Sequence, residues 1–209
     1  MTSAATARSR GRPAAASREE VLRSATGRYL HGERIDVQAI AAELGLGRAT
    51  VYRWFGTRED LIGEVLARAA EPLLEEARAS ARGKGGDALL DTFDRFNRSL
   101  AEAPALRRFL ETEREAAMRI ITSGAGVVQP RIVASIARLI EDEASAGRYD
   151  PPVETETLAY AIVKLAEAFL FNDAVAGIRG DVDRLRDVEA AMLGVNRASG
   201  RSRRTSSRR

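Results

Sequence analysis

The chain has 209 residues, of which 44% are hydrophobic, and its 33 basic and 30 acidic side chains give a formal net charge of +3. This composition, dominated by Ala, Leu, Glu and Arg, favours an all-α fold with a sizeable core. The absence of cysteine excludes disulfides and thiolate metal sites. We expect a cytoplasmic protein, because the sequence shows neither a membrane-spanning apolar run nor a signal-peptide segment.

The first predicted elements follow an N-terminal segment, residues 1–16, which lacks a hydrophobic period and is predicted to be a flexible basic arm. A helix is predicted to begin after Ser17, because Glu20 lies at the spacing of a capping box, and to end near His31. A second helix is predicted between Asp36, an N-cap residue, and Gly45, which suits a helix end. Further helices are predicted at residues 48–55, 58–81, 88–101, 104–123, 130–146, 154–177 and 182–196, with a loop at 82–87 and a disordered basic tail at 197–209.

Charge is distributed unevenly along these elements. Residues 1–60 carry 10 basic and 7 acidic groups, residues 61–196 carry 17 and 23, and residues 197–209 carry 6 and none. The basic ends predict a polyanionic partner, and the acidic middle predicts a different role.

The second and third predicted helices, with the turn Gly45–Gly47 between them, have the pattern of a helix-turn-helix. Val51 and Phe55 are four residues apart and are predicted to face the core, with Leu46 closing the turn. The remaining side chains suit DNA, since arginine pairs with guanine edges and hydroxyl or indole groups donate to phosphate. We predict DNA contacts from Arg48, Thr50, Tyr52, Arg53 and Trp54. Simple core packing is the alternative for the aromatic residues, and it suits Phe55 best.

The stretch IAAELGLGRATVYRWFGTREDLI resembles the DNA-binding signature of TetR-family transcriptional repressors. The matching positions are Ile40, Ala41, Gly45, Thr50, Tyr52, Phe55, Arg58, Glu59 and Leu61. The resemblance implies that Arg58 contacts a phosphate at the start of the fourth helix. Gly47 departs from the family pattern, which usually has Ser or Thr as the cap, and Arg58 replaces the usual Lys.

The resemblance also implies the domain organisation. It predicts a helix-turn-helix DNA-binding domain at residues 17–63, a ligand-binding and dimerisation domain at 64–196, and a homodimer on a pseudo-palindromic operator. Residues 105–133 and 157–173 are similar to regulators of the QsdR type, which control quorum-signal degradation genes.

The arm contains the sequence RGRP, the core of an AT-hook. An extended Arg-Gly-Arg fits a narrow A·T minor groove, so Arg10 and Arg12 are further candidates for DNA contact. A solvated linker is the alternative.

The body carries bulky apolar residues with a few polar ones, a combination that pockets for small ligands share. The family resemblance implies that some of them form a pocket for a small apolar effector. The candidates are Phe93, Phe96, Phe109, Met118, Tyr160, Lys164, Glu167, Phe169 and Asn172. Ordinary core packing is the alternative for each of them. The resemblance to QsdR-type regulators implies an acyl-lactone or related acyl compound, whose carbonyl could accept a hydrogen bond from Lys164, Tyr160 or Asn172.

Catalytic chemistry is not indicated. The single histidine, His31, excludes a multi-histidine metal site and an ordinary catalytic triad, and no cofactor is predicted. The favoured function is a ligand-responsive repressor. The alternatives are an effector-independent DNA-binding architectural protein and a helical enzyme acting on acyl compounds, which would lack a nucleophile–base pair.

Overall fold

The computed structural model describes residues 16–171 and 181–195. These ranges form ten α helices and contain no β strand, as the sequence predicts. The helices are α1 (Arg18–Leu30), α2 (Val37–Glu43), α3 (Arg48–Phe55), α4 (Arg58–Ser80), α5 (Gly86–Glu102), α6 (Pro104–Thr112), α7 (Arg114–Thr122), α8 (Val128–Ser145), α9 (Thr155–Phe171) and α10 (Val182–Met192). The predicted arm and basic tail, and the predicted end of α9, lie outside the described residues.

Local capping explains where α1 and α4 begin, and a glycine explains where α2 ends. The Glu20 carboxylate accepts from the backbone N–H of Ser17 at 2.7 Å, and the Ser17 hydroxyl accepts from the N–H of Glu20. Thr57 and Asp60 repeat this capping box at the start of α4. Gly45 has a φ of +66°, which allows the chain to leave α2 and turn towards α3.

The body departs from the predicted elements in two places. The prediction of a single helix at 104–123 is wrong, because the helical conformation is interrupted at Glu113, which has φ −133° and ψ 44° and lies between α6 and α7. Both helices bury apolar residues, so the hydrophobic period continues across the break and conceals it. The predicted end of the last helix is also too late, since α10 ends at Met192 before a turn at Gly194 with φ +67°.

Two hydrophobic cores meet along α4. The first joins α1, α2 and α3 to α6 and α7 and includes Leu61 and Ile62 of α4. The second joins α5, α8, α9 and α10 and includes Leu74 of α4. The helix-turn-helix therefore packs on the body through continuous apolar contacts. Within the described ranges, no helix is both long and apolar enough to cross a membrane.

Candidate DNA-binding surface and ligand cavity

The short helix α3 has one buried face and one open face. Val51 and Phe55 are buried in the first core, as predicted, and the Arg18 guanidinium lies over the Phe55 ring at 4.5 Å from its centroid. Tyr52 is 44% exposed, a large fraction for an aromatic side chain. The buried face fixes the orientation of α3, and the other face is left available to a partner.

The predicted DNA-contacting residues of α3 divide into two groups. Arg48, Tyr52 and Arg53 are exposed, and no hydrogen bond or ion pair within the described part of the chain occupies them. Thr50 and Trp54 are half-buried, and Trp54 packs partly on the first core. The exposed group therefore offers two free guanidinium groups and a phenol on one helix.

Arg58 is placed differently from its predicted role as a phosphate contact. Its Nε donates to the carbonyl oxygen of Ile35 at 2.8 Å, and a terminal nitrogen lies 2.9 Å from the carboxylate of Glu113. The side chain is only 22% exposed. Arg58 thus connects the start of α4 to the break between α6 and α7, a contact between residues 55 positions apart in the sequence.

The body contains a cavity of about 520 Å³ between α4, α5, α6, α8 and α9. Its wall is largely apolar, and the volume is within the range typical of small-molecule sites. Three of the predicted pocket residues, Phe93, Phe96 and Glu167, belong to this wall.

Five other predicted pocket residues are not part of this wall. Phe109 lines a second cavity of about 390 Å³, and its ring meets that of Tyr29 edge-on, with centroids 6.4 Å apart. Met118 and Phe169 pack partly buried on the first core, and Tyr160 is 51% exposed. The fifth residue is Lys164, whose ammonium group bonds to Glu167 instead. Asn172 lies outside the described residues. Apolar character alone could not show which side of a helix borders the empty space.

The first polar group in the cavity wall is the carboxylate of Glu167, which accepts hydrogen bonds from neighbouring side chains on both oxygens. Gln129 Nε2 donates to Glu167 Oε1 at 2.8 Å, and Lys164 Nζ donates to Glu167 Oε2 at the same distance. Lys164 also donates to the carbonyl oxygen of Thr122 at 3.2 Å. Both oxygens of Glu167 therefore accept a hydrogen bond, and Lys164 balances its charge.

The second polar group was not predicted from the sequence. Glu189 of α10 is fully buried, and its Oε1 accepts from Asn97 Nδ2 of α5 at 3.0 Å. Burial raises the pKa of Glu189 to about 8, and the nearby charge of Asp94 acts in the same direction. A local signal was available, because Glu189 lies four residues after Leu185 and four before Leu193, both of which are buried.

The cavity also reaches the DNA-binding part of the chain. Tyr29 and Leu30, at the end of α1, belong to its wall, as does Leu66 of α4. Helix α4 packs against both α1 and α3, and α6 packs against α1. A molecule in the cavity would therefore touch the helices that hold α3 in place. In the described ranges, no cluster of three or more acidic or histidine side chains could hold a metal ion.

A helix-turn-helix followed by a helical body with an apolar cavity defines the architecture of a ligand-binding transcriptional regulator. Residues 84–194 match the family described as "Tetracyclin repressor-like, C-terminal domain", which covers more than half of the chain. The chain belongs to the TetR family, as its N-terminal segment predicts. Proteins of this family are transcriptional regulators and not enzymes.

Solved structures agree with this assignment. The transcriptional repressor QsdR of R. erythropolis, from the TetR family, is 29% identical over 86% of this chain and 95% of its own, with a TM-score of 0.80. The TetR-family repressor AlkX of Dietzia sp. strain DQ12-45-1b is 23% identical over 89% of this chain and 97% of its own, with a TM-score of 0.58, and supports the fold alone. No curated protein matches the chain significantly in sequence. The predicted QsdR-type body is consistent with the first of these similarities.

Proposed function

We propose that this regulator is a repressor that binds operator DNA through α3 and is released when a small apolar molecule occupies the 520 Å³ cavity. The proposal rests on one cavity that is bordered by α1 and α4, which pack against the recognition helix, and by α6, which packs against α1. An effector-independent architectural protein would have no use for this cavity. Residues 17–63 would form the DNA-binding unit and residues 64–196 the effector-binding body.

The exposed face of α3 supports the DNA-binding part of the proposal. Arg48 and Tyr52 are four residues apart, and Arg53 directly follows Tyr52, so all three can enter one major groove. Thr50 and Trp54 would contact the groove edge or a phosphate. Because the protein would read chromosomal DNA, we place it in the cytoplasm.

Release requires that the effector bind more tightly to the released state than to the DNA-bound state. A molecule that fills the cavity presses on Leu66 of α4 and Tyr29 of α1. The Arg58–Glu113 ion pair joins the first residue of α4 to the α6–α7 break, and we assign Arg58 to this internal link instead of to a phosphate. Movement of α6 or α4 would then change the position of α3.

A homodimer is supported by the outer surface of α9 and α10. Val153, which precedes α9, Tyr160 of α9 and Val188 of α10 are 50%, 51% and 40% exposed. Large apolar side chains exposed together on adjacent helices are typical of an interface. A second copy that covers this surface would produce a twofold dimer, which matches an inverted-repeat operator.

The effector is proposed to be compact and mainly apolar, as the cavity wall is. An acyl or lactone compound fits this description, and burial of its alkyl chain would contribute about 0.8 kcal/mol per CH₂. Of the three donors predicted for its carbonyl, Lys164 is paired with Glu167 and Tyr160 faces outward, while Asn172 lies outside the described residues. Within the described residues, the donor is therefore sought elsewhere in the cavity wall.

Selection of bound duplexes from a random DNA pool tests the DNA-binding part. We expect wild type to recover an inverted repeat. The variants Arg48→Ala and Tyr52→Ala should bind that repeat more weakly by about 1–3 kcal/mol each, because each loses a base or phosphate contact. Arg107→Ala removes an exposed arginine from α6 and should bind as wild type does. Failure to recover a common sequence, or normal binding by both α3 variants, would contradict the assignment of α3.

A further inference from the structure

We propose that Glu189, oriented by Asn97, is the polar anchor of the cavity and donates a hydrogen bond to an uncharged carbonyl oxygen of the effector. This deepens the proposed function, on which it rests, by naming the effector class: a neutral lactone, ester or ketone with an apolar body.

The geometry identifies Glu189 as the group with an unused hydrogen-bonding atom. Glu189 and Asn97 both belong to the cavity wall and both are buried. Oε1 of Glu189 is occupied by the Asn97 amide, whereas Oε2 is buried and has no hydrogen-bond partner among the described residues. An unpaired polar atom in a buried position is costly unless a partner arrives.

The unused atom is a donor. With a pKa of about 8, the Glu189 carboxyl is protonated at neutral pH, and the charge of Arg186 and the Asn97 hydrogen bond oppose this shift only in part. Because Oε1 accepts from Asn97, the proton lies on Oε2. Oε2 is covered by neighbouring side chains in the structure, so a carbonyl oxygen would reach its O–H when the effector moves those side chains aside.

The rest of the wall disfavours a charged effector. The charge of Glu167 is already balanced by Lys164, and its other oxygen accepts from Gln129, so Glu167 does not need a cationic effector. An anionic effector would lie between two acidic side chains, and a cationic one would require Glu189 to ionise in an apolar surrounding. A neutral molecule with one hydrogen-bond acceptor avoids both the repulsion from acidic side chains and the ionisation of Glu189.

Calorimetric or fluorescence binding to the purified full-length protein tests the proposal with three probes of similar size: γ-decalactone, hexylcyclopentane and decylamine. The lactone has a carbonyl, the hydrocarbon lacks it, and the amine carries a positive charge. Each probe is measured on wild type, Glu189→Gln and Glu189→Leu, whose folding is checked by circular dichroism. Glu189→Gln keeps a neutral N–H donor at the same position, and Glu189→Leu removes it.

We expect Glu189→Leu to weaken lactone binding roughly five- to tenfold, the effect of losing one net hydrogen bond. Hexylcyclopentane should bind this variant at least as well as wild type, and Glu189→Gln should keep lactone affinity within about threefold, since its amide can donate. If Glu189→Leu lowers the affinities for lactone and hydrocarbon by the same factor, Glu189 is only structural. If wild type binds decylamine tightly and Glu189→Gln abolishes that binding, the carboxylate is ionised. Absence of lactone binding to wild type would also reject the proposal.

The same samples separate this inference from the proposed function. Lactone binding with the expected dependence on Glu189, but without release of DNA, would uphold the anchor and reject the ligand-responsive mechanism. Release of DNA by a lactone whose binding does not depend on Glu189 would reject the anchor and uphold the ligand-responsive mechanism.

Discussion

Removing the buried carboxyl of Glu189 should change how the stability of the protein depends on pH. In the folded protein, burial raises the pKa of this group from 4.5 to about 8. The unfolded chain releases the proton first as the pH rises, so the folded state loses stability between about pH 4.5 and pH 8, and the loss is complete above pH 8. Below pH 4.5 both states are protonated and nothing is lost.

The magnitude follows from the size of this shift. Each pH unit within the window is worth about 1.4 kcal/mol, so the roughly 2.5 units from pH 4.5 to pH 7 amount to about 3.5 kcal/mol. The charged groups that act on Glu189 are Asp94 of α5, which raises its pKa, and Arg186 of α10, which lowers it. Glu189→Gln keeps the shape of the side chain and removes the ionisation, so the variant should gain stability relative to wild type as the pH rises.

Urea unfolding of wild type and Glu189→Gln at pH 5, 6, 7 and 8 measures this difference, because the other titrating groups are common to both proteins. Glu76→Gln, at an exposed position of α4, controls for the removal of one carboxyl from the chain. A stability difference between wild type and Glu189→Gln that stays constant from pH 5 to pH 8 would refute the argument that Glu189 is held neutral.

Three further predictions concern assembly, coupling and the arm. Tyr160→Glu should convert the dimer to a monomer in light scattering, because it places a charge in the proposed interface. Leu30→Glu, an equally drastic change at an exposed residue of α1, should leave a dimer. A Tyr160→Glu protein that stays dimeric would reject this interface. If Arg58 acts through Glu113, then Arg58→Gln and Glu113→Gln should change effector-induced release of DNA by the same amount, and the double variant should change it no further. If Arg58→Gln weakens DNA binding and Glu113→Gln does not, Arg58 contacts a phosphate instead. Deletion of residues 1–14 should weaken binding in mobility shifts most for operators with A·T flanks, and equal losses on G·C flanks would contradict a minor-groove role.

Local sequence signals were sufficient for the helix-turn-helix. Ser17 and Thr57 begin their helices through capping residues three positions away, and Gly45 ends α2 through its own backbone freedom. Val51 and Phe55 are separated by one helical turn and both face the core. Each of these features depends on residues within a few positions, so the pattern predicts it directly.

The body could not be predicted to the same degree, because its determinants are distant in the sequence. The α6–α7 break at Glu113 coincides with a contact to Arg58, 55 residues earlier. The polar anchor joins Glu189 to Asn97 across 92 residues, and no short pattern connects them. Phe109 has the apolar character of a pocket residue, but the packing of whole helices decides that it borders the second cavity.

Occupation of the cavity and binding of DNA by α3 should each weaken the other. Fluorescence anisotropy of a labelled duplex recovered by selection, at one fixed salt concentration and with increasing γ-decalactone, measures this coupling directly. We predict that saturating lactone raises the Kd for DNA at least about tenfold and that DNA weakens lactone binding by the same factor, as linkage requires. A lactone that demonstrably binds the protein and leaves the Kd for DNA unchanged would contradict coupling between the cavity and α3.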